Sequence, residues 1–174
     1  KKMKKENLKL SKNFWLSEFN YVMPDLRLLA ILQTVRDKLN TSVTITDSSR
    51  DFMTHFLIYK SLSDENKINT LENGLGAKPL IDCIPFKSRH LAEHNKPYLR
   101  AVDLVARKNS QEYYAGEELK KVIVNYVNSS KYYNFLIDNK FEKETDRFIG
   151  LGVGNNYIHL DIDRDRYTEW RYGY

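Results

Sequence analysis

Hydrophobic positions in this chain change period several times, and each change predicts an element. Leu28, Leu29, Leu32, Val35 and Leu39 recur at helical spacing behind Pro24-Asp25, so a helix with one face on a core is expected there. Pro suits the first helical position and Asp the positive end of the dipole, and Asn40 is the expected end. Val43-Thr44-Ile45-Thr46 has the β-branched density of a strand and runs into the polar turn Asp47-Ser48-Ser49-Arg50. A second helix is expected over residues 52–61, broken by Ser63-Asp64-Glu65-Asn66. Residues 64–87 contain Asn73-Gly74-Leu75-Gly76, Pro79 and Pro85, the composition of a long loop, and long loops in compact domains tend to be functional or mobile.

Residues 100–105 read as a strand, with Ala101, Asp103 and Val105 on one face and Val102 and Leu104 on the other. A helix follows over 117–128, its buried stripe formed by Leu119, Val122, Ile123, Tyr126 and Val127. Two strands, 148–153 and 157–162, are joined by Gly154-Asn155-Asn156, a hairpin signal. This order predicts an α+β fold, a small and mainly antiparallel sheet with helices packed on it.

At 174 residues the chain fits one domain. Its 41% hydrophobic content, with twelve Tyr and eight Phe, is that of a globular fold. No apolar run approaches the roughly 18 residues of a membrane span, and none is placed as the centre of a signal peptide. The net charge of +5 suggests nucleic acid until its distribution is read. Residues 1–12 hold six Lys and one Glu, so the remaining body sums to zero. The expected organisation is a basic flexible tail over 1–12 and a single domain over 13–174. A neutral body lacks the basic face that phosphate binding needs, so no nucleic-acid partner is expected. Nothing in the pattern asks for an oligomer, and a monomer is expected. Cys83 stands alone in Ile81-Asp82-Cys83-Ile84, which excludes an internal disulfide framework and reads as a core residue.

The four histidines are His55, His90, His94 and His159. Alternation along Tyr157-Ile158-His159-Leu160-Asp161-Ile162-Asp163 puts Tyr157, His159, Asp161 and Asp163 on one face, which alone is an ordinary surface pattern. Asp103 stands out more, as a carboxylate within the apolar run Ala101-Val102-Asp103-Leu104-Val105-Ala106. Burying it is costly without a partner. That partner is either a salt bridge from Arg100 or Arg107, or a metal shared with His159 on a neighbouring strand. Catalytic zinc takes three His or carboxylate ligands and leaves a fourth position for water, and two His with one Asp would supply that set.

Ser88-Arg89-His90, Ala101-Val102-Asp103 and His159-Leu160-Asp161 stand in this order along the chain. So ordered, they resemble the Ser-x-His, Ala-x-Asp and late His-x-Asp motifs of the M15 peptidases. These are zinc D-alanyl-D-alanine carboxypeptidases and phage-type peptidoglycan endopeptidases, which share their metal-site architecture with lysostaphin-type enzymes and the hedgehog domain. Ile45-Thr46-Asp47-Ser48-Ser49-Arg50 resembles the family's strand ending in a substrate-contacting arginine. Tyr167-Thr168-Glu169-Trp170-Arg171-Tyr172 is similar to the aromatic close of phage-related members. The resemblance spans about residues 11–174.

The resemblance implies Zn2+ held by His90, Asp103 and His159, and peptidoglycan or its stem peptides as substrate. It also implies action in the periplasm or cell envelope, or phage delivery to the cell wall. Arg50 would orient substrate or stabilise the oxyanion. Ser88 and Tyr157 would contact substrate, and Asp161 would support the metal ligands. Two features depart from the pattern. His90 and Asp103 stand thirteen positions apart, more than the family's usual spacing, so segment 92–99 carries an insertion and His94 competes with His90. Asn156 and Tyr157 occupy positions where many relatives carry the base, leaving it open between Glu93 and His94. Either carboxypeptidase or endopeptidase action fits, as does a zinc-containing wall-binding module with impaired catalysis.

Overall fold

The computed structural model describes residues 7–48 and 98–172. Helix α1 spans Leu26–Leu39. It starts two residues after Pro24, because Asp25 is its N-cap and accepts the backbone N–H of Arg27 at 2.9 Å. Asn40 ends it at φ 48°, the left-handed conformation that Asn tolerates at a helix C-terminus. Leu28, Leu29, Ile31, Leu32 and Val35 are its buried face. Arg27, also buried, pairs with Asp25 and, at 3.1 Å, with Asp146, tying the start of α1 to a short 3-10 turn at Glu144–Arg147.

Among the described residues five strands form one sheet: β1 Val43–Asp47, β2 Ala101–Ala106, β3 Ile149–Val153, β4 Ile158–Ile162 and β5 Thr168–Arg171. Their order is β1-β2-β4-β3-β5, with three antiparallel pairs and one parallel pair, β3 with β5. Helices α2 Gly116–Val127 and α3 Ser130–Asp138 complete the α+β fold.

The core lies between α1, α2 and one face of the sheet. Cross-strand rows Leu104–Ile158–Val153 and Val102–Leu160–Leu151 supply the sheet's apolar face, and each of these six residues is at most 3% exposed. The alternation read from the sequence is therefore correct, but β4 is not an amphipathic surface strand. Every residue of Ile158–Ile162 is buried, since the strand lies at the centre of the sheet and both its faces are covered. The stripe of α2 is likewise as expected, with Leu119, Ile123 and Tyr126 buried and Val122 and Val127 partly so.

Two elements were not anticipated. Helix α3 is capped by Ser129, which accepts the Tyr132 N–H. It buries Tyr132 completely and leaves Tyr133 62% exposed, so this tyrosine pair is split between core and surface. Strand β5, at the sheet edge, alternates the partly buried Thr168 and Trp170 with the charged Glu169 and Arg171. Residues 7–12 of the lysine-rich stretch are tied to the body: the Leu16 N–H donates to the Leu8 carbonyl and the Ser11 hydroxyl to Gln33, both at 2.8 Å. The expected helix at 52–61, the loop at 64–87, His55 and Cys83 lie outside the described residues. Of segment 92–99 only Tyr98 and Leu99 are described. Leu99 is fully buried and exchanges backbone hydrogen bonds with Met23 and Asp25 at the entrance to α1. Among the described residues no helix is long and apolar enough to cross a membrane.

Candidate functional site

On the sheet face away from the helices, register pairs align chemistry-bearing residues into rows. Asp47, Asp103, His159, Gly152 and Trp170 make one row across all five strands. Ala101, Asp161, Gly150 and Thr168 make the next. Asp47 enters the first through a register shift between Ile45 and Asp47. Irregularities of this kind re-aim side chains at strand ends beside functional sites.

The centre of the arrangement is the His159 imidazole, held between two carboxylates. Its Nδ1 lies 2.7 Å from Asp103 Oδ1 and its Nε2 lies 3.0 Å from Asp161 Oδ2. The sequence left Asp103 either a salt bridge or a shared partner with His159. The described contact is with His159, while Arg100 pairs with Asp163 at 3.6 Å and Arg107 donates to the Ser110 carbonyl.

His159 is 8% exposed and Asp161 1%, so neither charge is dispersed by solvent. Burial works against a charged His159 ring, but hydrogen bonds to Asp103 and Asp161 outweigh it and raise the imidazole pKa. Burial likewise works against an ionised Asp161. His159 and Arg164 outweigh that too, holding its carboxyl below the usual range.

Three further side chains close over this face. Trp170 packs against His159 with ring centroids 5.3 Å apart, and Arg164 stacks on the same indole at 5.4 Å. Tyr172 packs on Trp170 and on Tyr157, at 6.3 and 5.3 Å. Burial pushes the Tyr172 phenol up to about 12, so it stays neutral over the working pH range. Room for these side chains comes from β3. A Cβ on Gly152 would lie 2.6–2.7 Å from Tyr172 and Trp170, and one on Gly150 would lie 2.6–2.9 Å from Asp161 and Arg164. The alternating glycines of Ile149-Gly150-Leu151-Gly152-Val153 thus leave a trough beside His159 and Asp161. That alternation was the sequence signal for the trough.

Of the residues singled out in the sequence, Asp103, His159 and Asp161 come together. Tyr157 shares their sheet face, its ring folded back over Gly154 and against Tyr172. His90, Arg50, Ser88, Glu93 and His94 lie outside the described residues. Among the described residues no three His, Cys, Asp or Glu side chains form a group that could hold a metal ion. What they contribute is a pair of donors, Asp103 Oδ1 and His159 Nδ1. With the imidazole proton on Nε2, facing Asp161, these two atoms present lone pairs to each other. At 2.7 Å that repels unless Nδ1 also carries a proton, so the contact is a hydrogen bond with Nδ1–H donating to Asp103. A zinc ion bound at about 2.0 Å to each would displace that proton and part the two atoms to about 3.3 Å, while Asp161 on the far nitrogen is the usual support for a ligating histidine.

A separate cleft of about 720 Å³ lies at the other side of β5, among Lys120, Ser129, Tyr133, Arg147, Phe148 and Tyr167. Its cations are engaged within the fold: Lys120 with Glu117 and Glu169, Arg147 with Glu144. It lacks the convergent acid–imidazole chemistry of the opposite face. No family model, no curated protein and no solved structure matches this chain.

Proposed function

We propose that this chain is a zinc-dependent peptidase acting on peptidoglycan stem peptides, of the D-alanyl-D-alanine carboxypeptidase kind and with the hedgehog-like variant of the α+β fold. The observation that supports this reading best is the contact between Asp103 and His159, 2.7 Å apart on adjacent strands, with Asp161 on the other imidazole nitrogen. The resemblance of Ala101-Val102-Asp103 and His159-Leu160-Asp161 to the family's motifs implies the same pairing of Asp103 with His159.

In this reading Asp103 and His159 hold zinc together with His90, or with His94 in its place. When bound, zinc supplies a water of lowered pKa and polarises the substrate carbonyl. Asp161 accepts the Nε2 proton and thereby leaves Nδ1 as the coordinating atom. Trp170 and Tyr172 wall the site with apolar surface, which lowers the local dielectric and strengthens each electrostatic contact inside it. Arg50 orients the substrate carboxylate, Ser88 and Tyr157 contact the peptide, and the base is drawn from Glu93 or His94. Action on such a substrate belongs to the periplasm or cell envelope, or to a phage-delivered protein.

Purified chain incubated with stem peptides ending in D-Ala-D-Ala is expected to release D-alanine. Release should stop on zinc chelation and return on zinc addition. Cleavage of intact peptidoglycan without release of D-alanine would assign the endopeptidase form instead. A third reading is favoured by Asn156 and Tyr157 standing where a carboxylate base is usual: a wall-binding module that keeps zinc and has lost catalysis. It predicts wall binding with neither kind of cleavage.

A further inference from the structure

Asp161 is the most deeply buried carboxylate described, and two groups hold it. His159 Nε2 approaches one oxygen, and the Arg164 guanidinium grips both, Nε to Oδ1 and the second nitrogen to Oδ2. A two-pronged arginine contact fixes a carboxylate in rotation as well as position, which a point charge does not. Arg164 is itself fixed. It stacks on Trp170 at 5.4 Å and passes over Gly150, where any Cβ would collide with it. Trp170 in turn packs on His159 at 5.3 Å. The contacts therefore close a cycle, Arg164 to Asp161 to His159 to Trp170 and back to Arg164, with the imidazole as one member.

We propose that Arg164 is a positioning residue for His159, acting through Asp161 to aim the imidazole Nδ1 at Asp103. The motif reading assigned Asp161 a supporting role and gave Arg164 none. In Asp163-Arg164-Asp165-Arg166 it looks like one charge of an exposed turn. The competing account is that Arg164 only neutralises a buried carboxylate so that the chain folds. The two accounts separate on Arg164→Lys, which keeps the charge and loses the fork.

The test uses the whole chain and two readouts. Zinc dissociation constants are measured by competition with a chromophoric chelator for wild type, Arg164→Lys and Arg164→Gln, at a temperature where circular dichroism shows each folded. The His159 ring N–H resonances of the metal-free protein are recorded alongside. Positioning predicts zinc binding weakened about tenfold in Arg164→Lys and more in Arg164→Gln, as for loss of a partner supporting a metal-bound histidine. It also predicts an Nε2–H resonance that is sharp in wild type and broadened in both variants. If Arg164→Gln fails to fold, Arg164→Lys alone decides. Zinc affinity of Arg164→Lys within about twofold of wild type, short of the loss expected of a supporting partner, would overturn the inference and leave the zinc reading standing. The zinc readout rests on that reading and the resonance does not. If wild type binds no zinc, the reading fails, and a resonance equally sharp in Arg164→Lys would overturn the positioning role as well.

Discussion

Asp103→Ala is expected to leave a folded chain that neither retains zinc nor cleaves stem peptides. Asp103 sits on β2 with its side chain 22% exposed. Removing it therefore opens no large cavity, and β2 keeps Val102, Leu104 and Ala106 buried. The chemistry loses one of two adjacent donors. A bound metal contributes several kcal/mol of charge stabilisation in the transition state, and each 1.4 kcal/mol is tenfold in rate, so the loss is about a thousandfold or more. Initial rates with saturating added zinc, together with a far-ultraviolet spectrum, check it. A folded Asp103→Ala retaining more than about a tenth of the wild-type rate, a loss of only some 1.4 kcal/mol, would remove Asp103 from the site.

Gly116→Ala is expected to destabilise the fold by about 3 kcal/mol, at the upper end of what overpacking costs. Helix propensity argues the other way, since Ala is favoured over Gly by about 1 kcal/mol in a helix interior. Packing decides. Gly116 is where α2 meets the β3–β4 hairpin, and its N–H donates to the Asn155 carbonyl at 2.8 Å. An added Cβ would lie 2.1 Å from the Gly154 carbonyl oxygen and 2.8 Å from that of Tyr157. Both are backbone atoms, so no side chain can swing aside to relieve the clash. The turn that must move leads directly into β4 and His159, so zinc affinity should weaken along with stability. Urea denaturation of both proteins measures the first effect, and an unchanged or higher midpoint for Gly116→Ala would refute it.

Gly116 also marks a limit of what the chain discloses in one dimension. The period of α1 and α2, the β-branched run of β1 and the Gly-Asn-Asn link of the hairpin all act locally, so their elements were legible. Pro24 was read as the first helical residue because Pro suits that position. Asp25 outcompetes it by accepting the Arg27 N–H. The helix α3 was missed because its buried stripe is short and built from Tyr132 and Leu136 alone. The strand β5 was missed because the face carrying Trp170 meets a polar site rather than an aliphatic core. Its alternation of Thr168, Glu169, Trp170 and Arg171 therefore offers no apolar face.

The candidate site divides in the same way. Asp103 drew attention because a carboxylate in an apolar strand needs a partner, and His159 through its motif. Their register contact followed once β2 and β4 proved to be neighbours. Arg164 could not be found like this. Its role depends on which residues the sheet sets beneath it, Asp161 and Gly150. Burial of His159 was misjudged for a related reason: a polar face reads as solvent-facing until Trp170 and Tyr172 are seen to cover it.

The most direct test of the central claim, that Asp103 and His159 hold a zinc ion, is the zinc content of the purified chain, made without a metal-binding tag, beside that of His159→Ala. The account predicts a stoichiometric zinc ion in the wild type and its loss from His159→Ala with the fold intact. Zinc absent from both after reconstitution, or retained undiminished by His159→Ala, would contradict it.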